Sequence, residues 1–92
     1  MFDKRINLAH AQIVAGALEL SKGDRVLDIP CGTGRVALEL ARMGMSVTGV
    51  DFEARFVKAG RRSAKKERLG VEFVEGDMRA IEYACEFDGA FN

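Results

Sequence analysis

Val26-Leu27-Asp28-Ile29-Pro30-Cys31-Gly32-Thr33-Gly34-Arg35 passes from an apolar run through a glycine turn into a helical pattern. Arg25 to Ile29 reads as a short buried strand, and the proline and two glycines that follow are residues a strand interior rejects. From Arg35 to Met43, Val36, Ala37, Leu40 and Ala41 fall on one side, and Gly44 is placed to end a helix as a C-terminal cap. A strand, a tight turn and a helix in that order begin a parallel α/β unit.

Outward from this stretch the alternation continues. Ser46 to Val50 is rich in β-branched residues and finishes at Asp51, a second strand. Glu53 to about Leu69 predicts a longer helix with Phe56, Ala59, Gly60 and Ala64 toward the sheet. Val71 to Glu75 is a third strand broken by Gly76-Asp77-Met78, and Phe87 to Phe91 is a fourth that ends at Asn92. On the N-terminal side, Ala9, Ile13, Ala17 and Leu20 recur at helical spacing from about Asn7 to Leu20, before the turn Ser21-Lys22-Gly23-Asp24. Alternating strands and helices imply right-handed crossovers. The expected fold is therefore α/β, a Rossmann-like doubly wound parallel sheet of order 3-2-1-4, truncated after the fourth strand.

At 92 residues the chain is one domain at most, expected to be partial. Fourteen Lys and Arg balance fourteen Asp and Glu, so no overall field draws it toward nucleic acid or an anionic membrane. Seven cations on the third helix (Arg55, Lys58, Arg61, Arg62, Lys65, Lys66 and Arg68) read as a solvated face. Cys31 and Cys85 lack the paired spacing of a zinc or redox site, so neither a metal nor a disulfide framework is expected. No apolar run reaches the roughly 18 residues of a membrane span. The N-terminus leads into an amphipathic stretch and not a secretory signal, which predicts a cytoplasmic protein.

In open parallel sheets, ligands settle at the carboxyl ends of the strands beside the point where the order reverses. Asp28, Gly32, Gly34, Asp51 and Asp77 all fall there. A Cβ at the glycines would block a ligand from the backbone, and tight turns need positive φ. Gly32 and Gly34 thus expose main-chain N–H groups at a helix start. Gly32-Thr33-Gly34-Arg35-Val36-Ala37 also fits the G-x-G-x-x-G/A dinucleotide fingerprint, with Asp51 near the ribose position, so an NAD-binding half of an oxidoreductase is a rival. Asp28 argues against a pyrophosphate at this turn. A carboxylate ~6 Å from a pyrophosphate at an effective dielectric of ~20 costs roughly 3 kcal/mol, on the order of a hundredfold in affinity. Each carboxylate has a structural alternative as a helix cap or turn former, but three at successive strand ends favour a ligand. A non-catalytic assembly module is a third class. Cys31 has no partner base at a recognisable spacing and reads as a loop filler, and the sole histidine, His10, as surface or packing.

The stretch Val26 to Arg35 resembles the first motif of class I S-adenosylmethionine-dependent methyltransferases. Val47-Thr48-Gly49-Val50-Asp51 resembles their second motif, Val71 to Met78 their third, and Phe87 to Asn92 the start of their fourth. The resemblance implies S-adenosyl-L-methionine as cofactor, which brings an ammonium, a sulfonium, a carboxylate, a ribose diol and an adenine but no phosphate. Asp28 would hold the ammonium, and the loop of Pro30, Cys31, Gly32, Thr33 and Gly34 would pass close to the cofactor. Asp51 would accept the ribose hydroxyls. Phe52 would lie against the adenine, with Gly76, Asp77 and the Met78 N–H at its edge, and Asn92 would approach the methionine portion. Pro30 stands where the family more often has glycine, and its fixed φ predicts an extended approach to the loop. The resemblance identifies no catalytic base. It implies an unidentified methyl acceptor, expected to be a small molecule. An open fourth-strand edge would favour self-association.

Overall fold

In the computed structural model, which describes residues 4–76 and 88–91, the chain runs α1 (Lys4–Ala17), β1 (Arg25–Asp28), α2 (Arg35–Arg42), β2 (Ser46–Asp51), α3 (Ala54–Glu67), β3 (Glu72–Glu75) and β4 (Gly89–Phe91). The strands form one parallel sheet in the order β3-β2-β1-β4. This is the order expected from the sequence. Arg25 lies opposite Ser46 and Asp28 opposite Gly49, so β2 runs past the end of β1. The turn after β1 follows that overhang, the Cys31 N–H donating to the Val50 carbonyl at 2.9 Å.

The strands alternate sides, as their period of two requires. Val26, Val47 and Phe73 join Ala11, Ala15, Ala37, Leu40, Val57 and Ala64 in one cluster beneath the helices. Leu27, Ile29 and Val50, with half-buried Val74, form a smaller cluster on the opposite side. Leu27 and Leu40 are wholly buried, and truncating either to alanine would cost about 2–5 kcal/mol.

Two expectations about helix faces need correction. α1 turns Ala11 and Ala15 inward, while Ile13 is 68% exposed and Ala9 and Ala17 also face solvent. Small side chains let α1 lie close on α2, and that close packing outweighs the greater apolar area of Ile13. In α3 the buried residues are Val57, Gly60 and Ala64, and Phe56 is turned outward with 42% exposure. Gly60 meets the Phe73 ring, where a Cβ would come within 2.7 Å. A larger residue facing the sheet at that point would separate helix from strand.

Helix ends follow local chemistry. α2 starts at Gly34, with no side-chain cap, and stops where Gly44 takes φ 96° and its N–H donates to the Ala41 carbonyl. α3 starts at Glu53, whose carboxylate accepts from the Arg55 N–H at 3.4 Å. Arg55, Lys58, Arg61, Arg62, Lys65, Lys66 and Arg68 are all exposed, in keeping with a solvated face. Arg61 also reaches back to the sheet. Its Nε and Nη2 both donate to the Phe73 carbonyl, at 3.0 and 2.7 Å, covering an acceptor on the outermost strand β3.

Candidate functional site

The ends of β1 and β2 bring Asp28 and Asp51 to the same edge of the sheet, 3% and 5% exposed respectively. Both Asp51 oxygens are held by backbone amides. Oδ2 accepts from the Gly32 N–H at 2.9 Å and Oδ1 from the Glu53 N–H at 2.8 Å. One carboxylate therefore ties the glycine turn to the start of α3, and its main-chain oxygen also accepts from the Gly76 N–H at 2.9 Å. Part of the structural alternative is realised here, since Asp51 bonds the N-cap residue of α3 without itself being the cap.

Asp28 is wired differently. No donor among the described residues hydrogen-bonds its carboxylate. No buried side-chain polar atom among those residues is both sealed from solvent and without a partner, so the Asp28 oxygens keep an opening to the exterior. Burial drives its pKa up from 3.8 to about 7; the positive charge of Arg35 opposes the rise and the negative charge of Asp51 adds to it. Such a carboxyl is poised to take up a cation that enters through the opening.

Between the two acids runs the turn. The Ile29–Pro30 peptide bond is cis and the chain bends there, in place of the extended approach expected at Pro30. The Gly34 N–H donates to the Cys31 carbonyl at 3.0 Å, and Gly32 and Gly34 take φ 58° and 83°, values that favour glycine. Their steric reasons differ. A Cβ on Gly32 would meet nothing within 4 Å, so the outer side of the turn is open. A Cβ on Gly34 would stand 2.5 Å from the Phe73 ring. Gly34 is thus required by packing, where ligand approach was the expected reason for both.

Thr33 is exposed at the tip. Cys31 is buried, and its thiol donates to the Gly32 carbonyl at 3.4 Å. Burial, reinforced by the charges of Asp28 and Asp51, pushes that thiol up to about 12, which keeps it protonated and fits a loop filler better than a nucleophile. Phe52, directly after β2, is 71% exposed, an aromatic face offered at the strand ends. Asp77, Met78 and Asn92, also expected at the site, lie outside the described residues.

A second group of side chains at the site escaped sequence reasoning. Arg35 Nη1 lies 2.9 Å from His10 Nδ1 and donates to Asn7 Oδ1 at 3.4 Å. A guanidinium has no acceptor, so Nδ1 accepts and the ring proton sits on Nε2. Asn7 carried a usable signal, standing four residues before the buried Ala11. His10 did not, since its partner is 25 residues away. Among the described residues no group of three or more His, Cys, Asp or Glu could hold a metal ion, and no helix is long and apolar enough to cross a membrane.

Residues 26–92 match the family described as a methyltransferase domain. The chain belongs to this methyltransferase family. It is similar to an S-adenosyl-L-methionine-dependent Diels-Alderase of Talaromyces variabilis, at 42% identity over 81 residues, covering 83% of this chain and 28% of that protein. A 2-phytyl-1,4-naphtoquinone methyltransferase of Synechocystis is 36% identical over 77 residues, or 77% of this chain and 32% of that protein. Among solved structures, TrmN from Thermus thermophilus superposes with a TM-score of 0.73 at 26% identity, over 82% of this chain and 24% of that one. This methyltransferase-family chain spans between about a quarter and a third of the length of these proteins. The resemblance to class I S-adenosylmethionine-dependent methyltransferases and the sheet order are both borne out, and these relatives give no support to the NAD-binding oxidoreductase alternative.

Proposed function

We propose that this chain supplies the cofactor-binding half of a methyltransferase that uses S-adenosyl-L-methionine and acts on a small-molecule acceptor. The observation that carries the reading is Asp28, a buried carboxyl without a hydrogen-bond donor among the described residues, open to the exterior beside a turn whose outer side is clear at Gly32. The chemistry of the site fits the cofactor. Two carboxylates flank the turn and suit an ammonium and a ribose diol, whereas a diphosphate would meet like charge from both.

Asp28 is assigned to the ammonium. Asp51, its orientation fixed by two amides, offers its remaining lone pairs to the ribose hydroxyls. Gly32 permits close approach to the backbone, and Phe52 offers its ring to the adenine. Pro30, Cys31, Thr33 and Gly76 line or brace the same strand ends, and Asp77, Met78 and Asn92 keep the adenine and methionine roles that the motifs imply. Bound there, the cofactor would supply a methyl group activated by its sulfonium, which would pass to an acceptor lone pair as the S–CH3 bond breaks and its electron pair stays on the departing thioether. The task of these residues is alignment and exclusion of water, worth up to about 7–11 kcal/mol.

Calorimetric titration tests the reading. S-adenosylhomocysteine should give heat with the chain and NAD none, and Asp28→Asn should abolish the heat while the fold persists. Equal heat in the chain and in Asp28→Asn would remove Asp28 from the site. The 42% identity to the Diels-Alderase favours a second reading, in which the bound cofactor assists a cyclisation and keeps its methyl group. A methyl-labelled cofactor separates the two, because label passes to the acceptor only in the first.

A further inference from the structure

The strand ends are set by β1, β2 and the turn between them, and the helix α1 reaches the start of α2, which follows that turn, through two side chains. Asn7 and His10 stand three residues apart, on one side of α1. Both present acceptors to Nη1 of Arg35, the first residue of α2, at 3.4 and 2.9 Å. All three are half-buried, so the contact is shielded from solvent more than a surface pair would be. The charge so held acts on Asp28, where it opposes the effect of burial. Among the described residues, the charged and titratable groups that act on Asp28 are Arg35 from α2, Asp51 from β2 and the Cys31 thiol from the turn. Facing Arg35 from α1 are Asn7 and His10.

We propose that Asn7 and His10 are positioning residues that hold the Arg35 guanidinium within electrostatic reach of the Asp28 carboxylate, so that α1 governs how readily that carboxylate receives a cationic ligand group. The consequence for the ligand rests on the assignment of Asp28 to the cofactor ammonium. The electrostatic part does not, because it acts in the chain without ligand.

Carbon-13 NMR titration of the Asp28 carboxyl in the ligand-free chain is the test. Arg35→Met should raise its midpoint by roughly one pH unit, the effect of losing a nearby opposite charge. His10→Ala should raise it in the same direction by a smaller step. His10→Asn, whose Oδ1 falls where Nδ1 was, should restore it, and His10→Ala placed on Arg35→Met should add nothing. An unchanged midpoint in Arg35→Met or in His10→Ala overturns the proposal, as does a His10→Ala shift that persists without Arg35. Should His10→Ala fail to fold, His10→Gln, which moves the acceptor to the Nε2 position, gives the same contrast with His10→Asn. S-adenosylhomocysteine titrations at pH 7 and pH 9 complete the test. Loss of positioning weakens binding at pH 7 and not at pH 9, whereas a merely structural defect weakens it at both. If the unaltered chain binds no S-adenosylhomocysteine, the cofactor assignment fails and the NMR midpoints still decide the role of α1.

Discussion

The aspartates that close β1 and β2 are similarly buried and stand at neighbouring strand ends, but among the described residues only Asp51 has its carboxylate bonded into the scaffold. Asp51 spends an oxygen on each of two backbone amides, while Asp28 has no donor among the described residues and a pKa raised to about 7. The two glycines repeat the contrast: Gly34 is packed against an aromatic ring and Gly32 faces open space. Within a single turn, residues of one type divide between holding the fold and meeting a ligand. The motif alone does not say which does which.

Four substitutions break or sharpen that division. Gly34→Ala should cost the most, about 3 kcal/mol, by combining a collision with the Phe73 ring and a left-handed backbone; a thermal melt within a few degrees of the unaltered chain would show that the ring moves aside. Asp51→Ala should follow at about 2 kcal/mol, because the Gly32 and Glu53 amides lose their acceptors. Denaturant titration reads it as a lower midpoint.

Asp28→Asn should have the opposite sign. The folded pKa of about 7 lies above 3.8, so the folded chain holds the proton more tightly than the unfolded one. The stability Asp28 contributes is full below about pH 4 and is lost as pH rises through 7. The substitution should therefore stabilise by about 1–2 kcal/mol at pH 8, several degrees in Tm, and by nothing at pH 4. A melting difference that is flat with pH would sink the contrast between the two acids. Gly32→Ala should be the mildest for the fold, about 1 kcal/mol for its positive φ, yet should weaken S-adenosylhomocysteine binding at least tenfold in calorimetry.

The strand order and the convergence of Asp28, Gly32 and Asp51 were legible because they depend on local pattern and on the handedness of crossovers, both written in consecutive residues. The inner faces of α1 and α3 were not. Ala11 and Ala15 carry little apolar signal beside Ile13, and Phe56 offers more apolar area than Val57, yet close packing selects the smaller side chains. Arg61 was legible in principle. It sits four residues after Val57 and three before Ala64, at the border of the buried stripe of α3, where an exposed cation can still reach back to an acceptor such as the Phe73 carbonyl. The contact of His10 with Arg35 has no local signature, because it joins two helices across a strand.

Gly34, Gly49 and Gly60 come from a turn, a strand and a helix, and a Cβ on any of them would stand 2.5 to 3.0 Å from one benzene ring, that of Phe73. That ring works as a shim: its thickness fixes how high the first turn rides above the sheet. Retuning the depth at which a nucleoside sits would therefore begin at residue 73 and its three glycines, not at the residues that touch the ligand.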